Sequence, residues 1–208
     1  MTPALKRRLL VEGRDDQWAI GALMIKHGVD FGSRAPFDPE IKSAEGVPNL
    51  LEAIGPALKT YDRLGIVVDA DQDPHARWAA VRGRLTVSGV PEALPPEGYV
   101  GEGLRPDNRV GVWIMPDNGA RGMLETFLAT LVPPEDAVWP YATEAVDGAR
   151  ARGAQFGSVD KARIYTWLAW QDPEGRPFGT AITSRTLVHN SAVAERFAGW
   201  FRRVLLDG

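Results

Sequence analysis

Carboxylates recur in this sequence where strands are expected to stop. Glu12 stands in Leu10-Val11-Glu12-Gly13, Asp69, Asp71 and Asp73 in Val68-Asp69-Ala70-Asp71-Gln72-Asp73, and Glu125 in Gly122-Met123-Leu124-Glu125. In an open parallel sheet, ligands bind outside the carboxyl ends of the strands, so acids that follow successive strands converge however distant they are in sequence. Two carboxylates about 5 Å apart repel by roughly 3 kcal/mol at an effective dielectric of about 20. A cluster of them is therefore stable only when protons or a cation offset the repulsion. The chain has no cysteine and its three histidines are scattered, so the donors are oxygens, which suit Mg²⁺ or Mn²⁺ rather than zinc. Mg²⁺ keeps several waters and takes one or two carboxylates plus phosphate oxygens, which points to phosphate ester chemistry. Glu12, Asp69, Asp71, Asp73 and Glu125 are the candidate metal ligands.

Other polar residues have simpler readings. Asp73 before Pro74 has the form of a helix N-cap, and Asp117-Asn118 that of a turn leading into a helix. Asp15 and Asp16 read as first-turn residues favoured by the helix dipole. His27, His75 and His189 lack ligand spacing, although His75 beside the aspartate run is placed to meet a phosphate. Trp18, Trp167 and Trp200 fall on apolar helical faces and read as core, with base stacking the less economical role for a tryptophan here. Lys6-Arg7-Arg8 and Arg202-Arg203 are local basic clusters that read as solvated faces.

The elements that must position the acids alternate between strand and helix. Leu9-Leu10-Val11 is a short buried strand, followed by a helix from Arg14 whose periodic positions are Trp18, Ala22 and Ile25, with Gly28 as its stop. Ile41 to Glu45 is a second strand. A helix carrying Leu50, Leu51, Ile54 and Leu58 follows, with a kink expected at Gly55-Pro56. Leu64 to Val68 is the strongest strand, and a helix over His75–Val87 comes after it. Residues 89–108 read as a long irregular excursion. Val110–Met115 is a strand, and Met123, Phe127 and Leu131 mark a helix before Pro133-Pro134. Beyond it the chain reads as helical, with Ile164–Trp170 and a clear stripe of Val193, Phe197, Trp200 and Val204. The class is α/β, a mostly parallel Rossmann-like sheet flanked by helices. Residues 1–132 form the α/β domain and residues 133–208 a mainly helical C-terminal extension packed on it as one compact unit.

Composition narrows the function classes. The chain has 208 residues, 44% hydrophobic and 25% charged, which excludes wholesale disorder. A formal charge of −3 excludes a chain that traps nucleic acid by bulk electrostatics. The absence of cysteine fits a reducing cytoplasm, and no stretch reads as a signal peptide or membrane span, so a cytoplasmic protein without a membrane partner is expected.

Glu12 in a Val-Glu-Gly setting and the Asp69-Ala70-Asp71 pair resemble the Toprim family, the catalytic domain of topoisomerases, primases and several nucleases, over Arg7 to about Leu131. More narrowly, the chain is similar to uncharacterised bacterial Toprim-like proteins allied to the nuclease domain of overcoming-lysogenisation-defect proteins. Those add a Leu-Glu motif, here Leu124-Glu125, and a downstream lysine, for which Lys161 is the candidate. The resemblance implies a Toprim-like fold and Mg²⁺-dependent phosphoryl transfer, as a nuclease hydrolysing phosphodiester bonds of DNA or RNA. Glu12, Asp69, Asp71 and Lys161 would be its catalytic residues. Asp69 and Asp71 would hold one ion, which Glu12 shares or serves as general base beside, and Asp73 and Glu125 would complete a second position. Tyrosine-nucleophile, zinc and P-loop segments are missing, so an ATPase would have to be a separate protein partner. The competing class is a non-catalytic metal- or nucleotide-binding module of a regulatory or defence system. A nucleotide-sugar transferase would leave Glu12 and Glu125 idle, and a haloacid-dehalogenase phosphatase would want a hydroxyl residue where Gln72-Asp73-Pro74 stands.

Overall fold

The computed structural model describes residues 5–32 and 38–207; the first four residues of the basic N-terminal stretch lie outside them. The elements in chain order are β1 (Arg7–Val11), α1 (Arg14–Lys26), β2 (Glu40–Ser43), α2 (Val47–Thr60), β3 (Arg63–Asp69) and α3 (Pro74–Arg82). There follow β4 (Tyr99–Glu102), β5 (Arg109–Met115), α4 (Leu124–Ala129), α5 (Val138–Ala151), α6 (Val159–Ala169), α7 (Phe178–Thr183) and α8 (Ala192–Leu205). The strands form one five-stranded sheet in the order β2-β1-β3-β5-β4. β2, β1, β3 and β5 are parallel, and β4 is an antiparallel edge on β5. The fold is α/β, with a mostly parallel sheet flanked by helices and a helical C-terminal region.

Both faces of the sheet are covered, which is why β3 and β5 read as continuous apolar runs. On one face Leu10, Ile66, Val68, Val110 and Ile114 pack against α2 and α3 through Leu50, Ile54, Trp78 and Val81. On the other, Leu9, Val11, Val67, Trp113 and Met115 share a core with α1, α4, α6, α7 and α8. The C-terminal helices thus belong to the same core as the strands. α8 lies closest to the sheet centre because two paired glycines, Gly65 on β3 and Gly111 on β5, leave a flat bed there. A β-carbon on Gly111 would fall 2.2 Å from Val204 Cγ2 of α8; one on Gly65 would clash with Leu9 Cδ1 at 2.6 Å and would touch Trp200 Cη2 of α8 at 3.5 Å.

Two expectations are corrected. The excursion of residues 89–108 contains β4, whose short Tyr99-Val100-Gly101-Glu102 run is masked by flanking prolines and glycines. Tyr99 turns inward against Trp78, at a ring separation of 5.8 Å. Trp18 is not core: it is 68% exposed, while Ala19, Ile20, Leu23 and Met24 are buried. The reason is α7, which approaches α1 through Gly179 so closely that a β-carbon there would lie 2.9 Å from the Trp18 carbonyl oxygen. The contact is made with the backbone of Trp18, and its ring is left outside. α2 is a single helix running through Pro56. Within the stretch expected to be helical, two helices carry no stripe that delimits them: α5 buries only Ala142 and Val146, and α7 is six residues long. Among the described residues no helix is long and apolar enough to cross a membrane.

Candidate functional site

The parallel strands diverge at β1 and β3. From β1 the chain crosses to β2 on one side, and the return to β3 places the next strand on the other, so the carboxyl ends of β1 and β3 flank a topological switch point. Glu12 follows the last residue of β1 and Asp69 is the last residue of β3. The Asp69 amide donates to Glu12 Oε2 at 3.5 Å, which brings two of the predicted acids together across adjacent strands.

α4 is anchored to the same rim. Its Leu124 amide donates to Asp69 Oδ1 at 2.9 Å, so the strand-end aspartate holds the start of the helix that carries Glu125. A two-bond bridge reinforces this: the amides of Asp71 and Gly122 each donate to the other's carbonyl oxygen at 2.8 Å. Asp71 adopts φ 53°, a left-handed conformation that aspartate tolerates. Gly122 has φ 138°, and a β-carbon there would meet Thr126 Oγ1 at 2.5 Å, so this position demands glycine. The bridge ties the Asp69-Ala70-Asp71 loop to the Leu124-Glu125 segment.

Asp16 is the first-turn residue its sequence position predicts, and the structure gives it a larger place. It sits at the third position of α1, where its Oδ2 accepts from the Gly13 amide at 3.0 Å. This closes the helix N-terminus as the acidic half of a capping box does. Its side chain is buried, and Oδ1 has no hydrogen-bond partner. The sequence signal was Glu12 and Asp16 four residues apart around a glycine N-cap; only the tertiary fold shows that this turn faces β3.

The electrostatics register the crowding. Burial, then the charges of Asp16, Glu12 and Glu125, push Asp69 up to about 9. Burial likewise raises Asp16 to about 7, with Glu12 and Glu125 adding to it against the Gly13 amide. Glu12 is raised by burial, partly offset by the Asp69 amide, and Asp71 raises it further. Two cations answer these acids. Lys161 on α6 pairs with buried Glu125 at 3.3 Å; burial works against the ammonium, but Glu125 outweighs it and lifts the lysine's pKa. Arg77 on α3, which nothing in the sequence singled out, pairs with Asp71 at 2.5 Å.

Glu12, Asp69, Asp71, Glu125 and Lys161 therefore meet at one rim, with Asp16 added. Asp73 takes another role. Its Oδ1 accepts from the amides of His75 and Ala76 at 2.9 and 3.0 Å, so it is the N-cap of α3. Asp117 likewise caps a turn through the Gly119 and Ala120 amides. Asn118 ties the end of β5 to the Pro96 carbonyl. His27 bonds to the His189 carbonyl and His75 is exposed. Arg7 and Arg8 pair with Asp38 and Glu40, and Arg202 and Arg203 donate to the carbonyls of His27 and Glu97.

The donor chemistry suits a hard divalent cation: carboxylate oxygens alone, one of them buried and unpartnered, around an aspartate that sheds its charge by holding a proton. The arrangement is nonetheless open. Among the described residues no three His, Asp or Glu side chains stand close enough to close on a metal ion. The model of a family described as protein of unknown function (DUF3226) matches residues 6–206. The chain belongs to that family. No curated protein and no solved structure matches it. The DUF3226 match spans the sheet and the C-terminal helices alike, so it takes in the rim acids together with Lys161.

Proposed function

We propose that the rim is a Mg²⁺- or Mn²⁺-dependent phosphoryl-transfer site and that the chain hydrolyses phosphodiester bonds in nucleic acid. The observation that carries this reading is the meeting of Glu12, Asp69 and Glu125 at a switch point, where burial and then the charges of Asp16, Glu12 and Glu125 lift Asp69 to about 9. Such crowding is costly in a purely structural role and is characteristic of sites that receive a cation or a reacting proton. The Glu12-Gly13 and Asp69-Ala70-Asp71 pattern adds the Toprim resemblance in support.

Asp69 and Glu12 would hold the ion, joined by Asp71 once its carboxylate leaves Arg77 and turns inward, with Asp16 and Glu125 beside them. When bound, a divalent ion supplies charge stabilisation for the phosphoryl oxygens and a more acidic water. The chain's own groups do the rest. Glu12, whose pKa is raised, is suited to accept a proton from the attacking water. Lys161, half-exposed and held at the rim by Glu125, is positioned to neutralise a phosphate oxygen. Asp73 has no part in this scheme because its carboxylate is engaged at the α3 cap.

The test is a panel of single- and double-stranded DNA and RNA with Mg²⁺ or Mn²⁺, read together with thermal melts. The expected result is metal-dependent cleavage of at least one member. Even residues behind metal ligands typically contribute roughly 10- to 100-fold to activity, so Asp71→Asn should lose no less. A metal-induced rise in melting temperature with no cleavage of any member would replace this reading with the non-catalytic binding module.

A further inference from the structure

Beside the acidic rim runs a cleft of about 690 Å³ between the α4 start, α5 and α6, and Asp71 forms part of its wall. Three arginines from three separate segments line it: Arg121 before α4, Arg150 near the end of α5 and Arg163 on α6. Arg163 is held from outside by Asp147, at 2.9 and 3.0 Å. Arg121 and Arg150 are exposed and make no ion pair among the described residues. Of the acids in the cleft wall, Asp71 is paired with Arg77, and Asp160, which accepts from Thr126 Oγ1 at 2.5 Å, sets one negative charge against the two guanidinium groups. On a chain of net charge −3, two unpaired guanidinium groups gathered next to an acidic centre call for an anion.

The cleft continues past Gly157 and Ser158 into a second hollow lined by Phe156, Lys161 and Tyr165. Tyr165 is 47% exposed, and its hydroxyl lies 3.5 Å from Asp15 Oδ2. Arg150 sits over the half-buried Phe156 ring at 6.0 Å, and the Tyr165 ring packs 5.2 Å from that of Phe178, so each ring has one side left for a base. Cations that follow a backbone, alternating with open aromatic faces, form the surface that single strands prefer, because any unpaired base can stack. A duplex offers no free base faces to Phe156 and Tyr165.

We propose that this groove takes a single strand of nucleic acid, with phosphates on Arg121 and Arg150, bases against Phe156 and Tyr165, and the chain led past Lys161 to the acidic rim. The assignment rests on the phosphodiester reading and names its substrate class as single-stranded.

The experiment is fluorescence anisotropy of the full chain with labelled oligodeoxythymidine about 15 nucleotides long, within the span of known single-strand sites. The same strand annealed to oligodeoxyadenosine is the comparison, and EDTA is present throughout. The single strand should bind more tightly than the duplex. Arg121→Ala and Arg150→Ala should each weaken binding about five-fold at about 0.1 M salt and lower the salt slope by about 0.7, the loss of one phosphate contact. The Arg121→Lys, Arg150→Lys double variant should keep the slope. Arg105→Ala, at the opposite end of the sheet beside Asp62, should change nothing. Wild-type affinity and slope in both alanine variants, equal affinity for duplex, or no binding by the wild-type chain would each overturn the groove. Because binding is read without metal, absent cleavage alongside the expected arginine effects would sink hydrolysis and leave the groove standing. Cleavage by the double alanine variant at unchanged KM would do the reverse.

Discussion

Asp69→Asn isolates the buried, crowded carboxyl at the centre of the site. In the folded chain Asp69 holds its proton to about pH 9, whereas an unstructured aspartate releases it near 3.8. Between those limits the folded state binds one more proton than the unfolded state, so stability is full below the lower value and is lost as pH rises toward the upper. The loss is about 1.4 kcal/mol per pH unit, hence at most about 2.7 kcal/mol from pH 6 to pH 8. Asp16, raised to about 7, acts in the same direction over the lower part of that window. At a urea m-value of about 2 kcal/mol/M, Asp69 alone should lower the wild-type midpoint by up to about 1.4 M across the two units. Asparagine keeps an oxygen for the Leu124 amide but has no proton to lose, so Asp69→Asn should lose much less between the same pH values. Equilibrium urea unfolding in EDTA at pH 6, 7 and 8 measures both. Excess Mg²⁺ should flatten the wild-type curve, because a bound cation replaces the proton. A wild-type midpoint that stays level in EDTA, or a variant that falls in parallel with it, would refute the account of crowded carboxylates.

Two further substitutions separate roles that look alike in sequence. Asp73→Ala should cost about 1 kcal/mol by removing the α3 cap, visible as a lower melting temperature, and should leave the Mg²⁺-induced shift of the wild type intact. Trp200→Ala should cost about 3–5 kcal/mol because the ring is fully buried and its Nε1 donates to the Tyr99 carbonyl, while the 68% exposed Trp18 should tolerate alanine within about 1 kcal/mol. Urea midpoints of the two variants make the comparison.

The strands that end at the site were legible because a strand buried on both faces leaves a run such as Leu64-Gly65-Ile66-Val67-Val68 that no loop would retain. β4 was not, since an edge strand of four residues needs few apolar positions and lies among prolines and glycines. Glu12, Asp69 and Glu125 were legible because strand ends are where open sheets gather ligands, and position along the chain therefore stood in for position in space. Asp16 and Arg77 were not, because each is an ordinary first-turn residue until the packing of α1 and α3 turns it toward the rim. Trp18 misled for a related reason. Helical period identifies a shared face, but whether that face is covered depends on Gly179, more than 150 residues later.

The flat bed of Gly65 and Gly111 also sets an order of events during synthesis. Both positions are translated before the side chains that cover them, Trp200, Val204 and Leu205, which follow in the chain only after α4 to α7. Until residues 192–205 emerge, Trp113 and its neighbours on that side of the sheet have water where α8 will lie. A nascent chain that has emerged only as far as residue 132 is thus a sticky intermediate, and chaperone shielding of that stretch on the ribosome would be the natural companion of this architecture.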